Sequence, residues 1–408
     1  MWNYINIIIK MFLFTKQKKI NDHILIKEIG RGSGGKVYLG KNEKTNQICA
    51  IKVISFKEMK TIKDIHSLNE SISIIKTFHH PNIVEFKLNE KTKNNMYIIT
   101  EYMNGGDLFQ NLKVHKKKYG KPFSEVVVQK IIHQISPALE YLHSNNIVHR
   151  DIKIENLFIN YNNKTIPTSN EFLSTFTHYY YDLEYEDFTI KIGDFDYAKE
   201  LVGGLEATSF CGSPMSMAPD VLEESSKRKY NQSADIWSLG TLIYELVIGC
   251  PPFEGDNIEE IFEGIKKGKY IFPNNIEISF ECINFINGLL RFNRNERMKW
   301  NQIKEHPFYK GNALEFKKLV LESNSQEKIS KIEVNSKEDF MWLIYQNKCQ
   351  CGMSLQSNNT HLNLIPKTIK ENYFIKNKNE PNNNKTSTNT AQKDNFMKQA
   401  ESDGWEFL

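Results

Sequence analysis

The eight residues His149-Arg150-Asp151-Ile152-Lys153-Ile154-Glu155-Asn156 limit what the rest of the chain can be. Apolar Ile147-Val148 precede them and Leu157-Phe158-Ile159 follow. A carboxylate, an ammonium and a side-chain amide thus share one short loop, pinned between two segments that want burial. Such a loop holds polar groups in fixed places. Asp151 can take a proton from a hydroxyl, Lys153 can neutralise a phosphate oxygen, and Asn156 can bind a hard cation through its carbonyl.

Around this loop, 408 residues leave room for one large two-lobed domain or two ordinary ones. Hydrophobic residues make up 40% and charged residues 25%, as in soluble globular chains. A net charge of +4 is too small over this length to argue for a nucleic acid, so none is expected as a partner. Cys49, Cys211, Cys250, Cys282, Cys349 and Cys351 follow no framework spacing, which predicts a reduced, cytoplasmic setting.

Residues 1–23 read as an N-terminal extension. Met1 to Phe14 is rich in Ile, Phe and Met, but as a helix it reaches only about 21 Å against a hydrocarbon core of roughly 30 Å, and Lys10 interrupts it. No transmembrane helix is expected. The segment either packs on the domain, lies poorly ordered, or rests on a membrane surface through the basic cluster Lys16, Lys18 and Lys19.

From Ile24 to Val53 the pattern is strand, Gly-rich turn, strand, strand. Gly30, Gly32 and Gly35 fit G-x-G-x-x-G, a spacing that also suits a Rossmann turn. A Rossmann turn opens a helix, whereas Val37-Tyr38-Leu39-Gly40 continues as a strand. The turn is therefore the tip of a β-hairpin. Lys52, flanked by Ala50, Ile51 and Val53, has to aim its ammonium at something negative. Ser67 to Phe78 has helical periodicity, with Leu68, Ile72, Ile75 and Phe78 on one face. Met96 to Thr100 reads as a strand, and Ser124 to Ser144 as a long amphipathic helix leading into the polar loop.

The loop resembles the H-R-D-x-K-x-x-N catalytic loop of eukaryotic protein kinases, and Lys153 marks the serine/threonine class. Further stretches in the same order resemble that family: the Gly turn, Ala50-Ile51-Lys52-Val53, Glu101-Tyr102-Met103, Gly193-Asp194-Phe195, Ala218-Pro219-Asp220 and Asp235-Ile236-Trp237. The resemblance spans residues 24–310. It implies an α+β, bilobal fold with a small β-rich N-terminal lobe and a larger helical C-terminal lobe. It also implies an ATP- and Mg²⁺-dependent protein serine/threonine kinase acting on protein substrates. Asp151, Lys153 and Lys52 would be catalytic. Ile29, Gly30, Gly32, Ser33, Gly35, Val37, Ala50, Lys52, Glu101, Met103, Asp107 and Phe158 would hold the nucleotide, and Asn156 and Asp194 the metal. Ser209 would take an activating phosphate, received by Arg150 and Lys199, and Ser213 would meet Asp151 and Lys153. Asp220 would pair with Arg297, and Asp235 would brace the catalytic loop.

Three departures stand out. The family pairs the strand lysine with a helix glutamate; here that position holds Ser71, and Glu70 is its neighbour. Either the helix is turned so that Glu70 reaches Lys52, or the pair is missing. Asp196 replaces the glycine after Asp194-Phe195, which predicts a bias toward a flipped inactive segment or an added carboxylate near the metal. Residues 160–187 are an insertion with little to build a core, expected as a solvated surface loop. Ser71 and Asp196 keep a second function open, a pseudokinase or scaffold that binds nucleotide and partners without turnover.

Residues 311–370 carry helical periodicity and read as a small appendage; Cys349, Cys351 and His361 lack metal-site spacing. The Asn-, Lys- and Thr-rich 371–408 reads as a disordered tail. Its end, Glu401-Ser402-Asp403-Gly404-Trp405-Glu406-Phe407-Leu408, resembles the W-x-x-L peptide that adds a strand to ubiquitin-like modifiers of autophagy. Cys211 to Pro219 likewise resembles the autophagy-initiating kinases.

Overall fold

The computed structural model describes residues 18–311 except 33, 60, 203–205, 210, 223–228, 269 and 274–275. The expectations for residues 1–17, for the appendage and tail from 312 on, for the peptide ending at Leu408, and for Ser33 lie outside the described residues.

Six strands form one antiparallel sheet: β1 (Lys19–Ile20), β2 (His23–Gly32), β3 (Gly35–Asn42), β4 (Ile48–Ser55), β5 (Phe86–Lys91) and β6 (Asn95–Glu101), in spatial order β1-β2-β3-β4-β6-β5. The last residues of the N-terminal extension thus join the sheet. Alternation of apolar residues in β4 and β6 buries Ile51, Val53, Tyr97 and Ile99 on one face. Helix α1 (Ile62–Ile75) covers the other face. It starts earlier than its apolar period suggests because Thr61 and Asp64 form a capping box, Thr61 N to Asp64 Oδ2 at 2.9 Å and Asp64 N to Thr61 Oγ1 at 3.2 Å. Leu68, Ile72 and Ile75 are buried as the period predicts.

The helical lobe follows. Helix α2 (Leu108–Tyr119) and α3 (Glu125–Ser144) precede the polar loop, and Ser124 caps α3. The loop runs from β7 (Ile147–Val148) to β8 (Leu157–Tyr161). Inside the insertion lies α4 (Asn170–Thr175), followed by β9 (Phe188–Ile192), which pairs with β8, and β10 (Lys199–Glu200), which pairs with β7. Then come α5 (Pro219–Leu222), α6 (Ser233–Ile248), α7 (Ile258–Lys267), α8 (Phe280–Leu289), α9 (Trp300–Glu305) and α10 (Pro307–Lys310). Helix α6 is apolar nearly all round and lies at the centre of the main core with Ile131, Ile135 and Leu139 of α3. Burying each such side chain contributes about 1.5–3 kcal/mol.

The insertion differs from its expectation. Tyr161 pairs with Phe188, so the excursion leaves and re-enters through a closed hairpin. Leu173 is fully buried against Leu39 and Tyr102, and Leu183 joins the main core. Lys27 Nζ donates to the Thr175 carbonyl at 2.9 Å and Lys41 Nζ to the Thr168 carbonyl at 3.1 Å. Residues from the helical lobe thus strap across to the β-sheet. Leu173, with Ile166, Phe172 and Phe176 packed around it, supplies one anchor and Leu183 the other.

Candidate active site

Between the sheet and the helical lobe lies a cavity of about 250 Å³. Ile29, Gly30 and Val37 of the hairpin line it from above, Ala50 and Lys52 from β4, Glu101 and Met103 from the connection after β6, and Asp107, Phe158 and Asp194 from the helical lobe. Gly32 and Gly35 close the hairpin opposite each other, beyond the cavity wall. Gly35 has φ +135°, and an added Cβ would run into the Val53 carbonyl, so the turn accepts only glycine there. The connection is fixed by Glu101, whose carboxylate takes the Glu85 amide at 2.6 Å and the Lys191 ammonium at 2.7 Å. The Met103 carbonyl accepts from Gly106 N at 3.2 Å. Asp107 caps α2 by accepting from Gln110 N at 2.8 Å, and burial pushes its pKa up.

The polar loop sits beside this cavity. Asp151 is 3% exposed. Its carboxylate accepts from Asn156 Nδ2 at 2.8 Å and Ser213 Oγ at 3.0 Å, with Lys153 Nζ 2.9 Å away. Asn156 Nδ2 also donates to the Asp151 carbonyl at 2.8 Å, so its own side-chain carbonyl is left to face elsewhere. The Asn156 backbone carbonyl accepts from Gly193 N at 2.9 Å, which ties the loop to the segment carrying Asp194.

Two backbone positions are held where L residues rarely go, Arg150 at φ +69° and Asp194 at φ +55°. Fully buried Asp235 accounts for the first: its carboxylate accepts from His149 N and Arg150 N, both at 2.9 Å, and from His143 Nε2 at 2.9 Å. Burial pushes this carboxyl up, but the His143 hydrogen bond, the nearby histidine charges and the His149 amide outweigh it and leave its pKa below the ordinary value. The second is held by His149 Nε2, which donates to the Gly193 carbonyl at 3.1 Å. Phe195, 3% exposed, packs on Phe78 and His149. The segment is therefore not flipped: Asp194 faces the cavity and Phe195 the core.

Lys52 is where expectation and structure part. Glu70 is exposed, and among the described residues it makes no ion pair with Lys52. Helix α1 is not turned to bring it in; the buried face carries Ser71. Lys52 Nζ instead meets Asp194 Oδ1 at 2.8 Å and Asp196 Oδ2 at 2.6 Å. Burial pulls the ammonium pKa down, yet the two carboxylates outweigh it and raise it above the ordinary value. Burial also pushes Asp194 up, but Lys52 holds it below the ordinary range; Asp196 is pushed up by burial and its neighbour's charge.

The sequence matches the protein kinase domain over residues 24–309. The chain belongs to the protein kinase family. It is 34% identical over 310 residues to the serine/threonine-protein kinase ATG1 of Komagataella pastoris, covering 71% of this chain and 38% of that protein. It is 32% identical to the serine/threonine-protein kinase TIO of Arabidopsis thaliana, covering 71% and 19%. It is 35% identical to myosin light chain kinase A of Dictyostelium discoideum, covering 70% and 87%. The chain thus spans well under half the length of the first two relatives.

Protein kinases use ATP and Mg²⁺, and the residues of this kinase fit both. A cation has Asp194 turned into the cavity and an Asn156 carbonyl left over from the Asp151 contacts, with phosphates and water to complete its shell. Phosphates have the Lys52 ammonium. Asp196 lines the wall, as the reading of an added carboxylate near the metal expected, whereas His178 is a wall residue that sequence reasoning missed. His178, from the insertion, stacks on Tyr102 at 5.6 Å, and a Cβ on Gly106 would approach its ring to 3.0 Å. The Tyr179-Tyr180-Tyr181 cluster beside it, with Phe172, Leu173 and Phe176, was the available sign that the insertion packs on something.

The kinase's outer loop follows the expected pairing in part. Arg150 Nη1 donates to exposed Ser209 at 2.6 Å, whereas Lys199 is exposed in β10. Arg297, 3% exposed, donates to the Asp220 carboxylate. No helix among the described residues is long and apolar enough to cross a membrane.

Proposed function

We propose that this protein transfers the γ-phosphate of ATP to serine or threonine hydroxyls of proteins. One observation carries the proposal: a buried carboxylate, Asp151, held by Asn156, Ser213 and Lys153 on a loop bonded to the segment that presents Asp194 to Lys52. Asp151 orients the incoming hydroxyl and accepts its proton. Lys153, within reach of both Asp151 and Ser213, neutralises charge developing on the transferred group. Lys52 and the hairpin amides would hold the phosphates, and Asn156 and Asp194 would hold a metal ion that would offset the phosphate charge. The protein contributes positioning and charge stabilisation rather than a covalent intermediate.

The test is transfer of radiolabelled phosphate from ATP to a generic acceptor protein. Wild type labels it and Asp151→Asn labels it at least about a hundredfold less. Absence of label with the wild type, at undiminished ATP affinity, would instead favour the scaffold reading that Ser71 and Asp196 motivate. A cytoplasmic setting is part of the proposal, in line with four free described cysteines. Binding of an autophagy ubiquitin-like modifier through Trp405-Leu408 is a further part, supported by the likeness to ATG1; truncation before Trp405 should abolish capture by the immobilised modifier.

A further inference from the structure

We propose that Asp196 replaces the carboxylate missing from α1: it is the positioning residue for Lys52, and Ser71 links the helix to it. The proposal rests on the kinase reading for what Lys52 does.

The geometry is a relay in three contacts. Lys52 Nζ lies 2.6 Å from Asp196 Oδ2. Ser71 Oγ, on a side chain 6% exposed, donates to the Asp196 backbone carbonyl at 3.0 Å. Helix α1 thus grips the backbone of residue 196, and the side chain of the same residue grips the lysine. The other α1 residues on the cavity wall, Leu68, Ile72 and Ile75, carry no charge. Glu70 is one position away, about 100° around the helix, and exposed.

Each of the two departures makes sense given the other. A glutamate at 71 would bring a further carboxylate beside Asp194 and Asp196 around a single ammonium, and like charges in a half-buried site raise each other's cost of ionisation. A small neutral side chain at 71 avoids this and still makes a contact. Asp194 has a competing duty, since a cation in the cleft would share its carboxylate; Asp196 remains to keep Lys52 aimed. Asp196 is not among the residues with positive φ, so no left-handed backbone strain opposes a side chain there. Gly34 completes the enclosure. An added Cβ there would run into Asp196 Oδ2 and come within 3.0 Å of Lys52 Nζ, so the hairpin tip descends on the pair. Positioning of Lys52 thereby runs through the segment after Phe195, and α1 acts on it only through the Ser71 contact with that segment's backbone.

The experiment compares wild type, Asp196→Gly, Asp196→Asn, Ser71→Glu and the double variant Ser71→Glu/Asp196→Gly. Affinity for MgATP is measured by calorimetry, kcat and the KM for ATP by phosphate transfer, and folding by the melting midpoint. Asp196→Gly and Asp196→Asn should weaken ATP affinity and kcat/KM by about tenfold or more with little change in melting midpoint. The double variant, which moves the carboxylate back to the helix, should recover to within roughly threefold of wild type, a rescue no merely structural role predicts. Wild-type or higher affinity and activity in Asp196→Gly would overturn the proposal, because the carboxylate would then be idle or a brake. A folded double variant no better than Asp196→Gly would also overturn it. Should variants at 71 melt too low to assay, Asp196→Asn decides by the same criterion. If wild type transfers no phosphate, the proposed function fails, while the calorimetric series still decides this inference.

Discussion

Arg150 Nη1 donates to Ser209 Oγ across 2.6 Å, and the same nitrogen reaches Tyr230 Oη at 3.1 Å. Arg150 is part of the catalytic loop, held at its unusual backbone angle by Asp235, while Ser209 is exposed. A phosphate on Ser209 would turn a contact charged on one side only into hydrogen bonds between opposite charges, worth about 1.5–3 kcal/mol toward an ordered outer loop. Phosphatase treatment should therefore lower activity by roughly tenfold or more, and Ser209→Ala should be equally low and insensitive to phosphatase. An unmodified, fully active Ser209→Ala enzyme would rule the switch out.

Leu173 supplies a second prediction, because it is the insertion's buried anchor on Leu39 and Tyr102. Leu173→Ala should cost about 3 kcal/mol in urea unfolding. It should also raise the KM for ATP more than it lowers kcat, since the strap carries His178 to the cavity edge without touching Asp151. Burial and the nearby Lys27 push the His178 pKa down to about 4. The sign follows: a histidine whose folded pKa lies below its unfolded value contributes stability above the unfolded pKa and loses it as pH falls toward 4. His178→Gln should therefore flatten the decline in stability between about pH 6.5 and pH 4.

Much of this site was legible before any coordinates, and the reason is chemical. Asp151, Asn156, Lys52 and Asp194 are residue types that phosphate and metal chemistry requires; Asp151 and Asn156 share one short loop, while Lys52 and Asp194 stand in separate short motifs that resemble the family's. Helix α3 was legible because Ser124 caps a long apolar period. The insertion was not, since its few apolar residues, Phe172, Leu173, Phe176 and Leu183, are short of a core's worth and only tertiary contact shows what they cover. For Asp196 two readings stayed open, a flipped backbone or an added carboxylate, because its φ cannot be read from residue type; the structure favours the second. Its role depends on a lysine 144 positions earlier.

Asp235 yields a prediction about acid. Its carboxyl is held below the ordinary range while fully buried, so it contributes stability above about pH 4, the unfolded value, and loses it as pH falls through the folded one. Asp235→Asn would put an amide NH₂ against an N–H donor from His149 or Arg150. The cost should be about 3 kcal/mol at neutral pH, and the variant's stability should fall less steeply than wild type's below pH 4. Equal acid sensitivity in both proteins would place the acid-labile carboxylate elsewhere.

Ser213 separates holding the base from holding the nucleotide. Its hydroxyl donates to Asp151 Oδ1 at 3.0 Å and accepts from Lys153 Nζ at 2.5 Å, and it does not line the nucleotide cavity. Removing it leaves Asp151 with Asn156 and Lys153 as partners, so the carboxylate keeps two contacts but gains freedom to turn. One hydrogen bond to a charged group is worth about 1.5 kcal/mol, or roughly tenfold in rate. Ser213→Ala should lower kcat by about that factor with the KM for ATP nearly unchanged, and Ser213→Thr, which keeps the hydroxyl, should restore most of the loss. A rise in KM with unchanged kcat would mean that the outer loop, rather than Asp151, is what Ser213 holds in place.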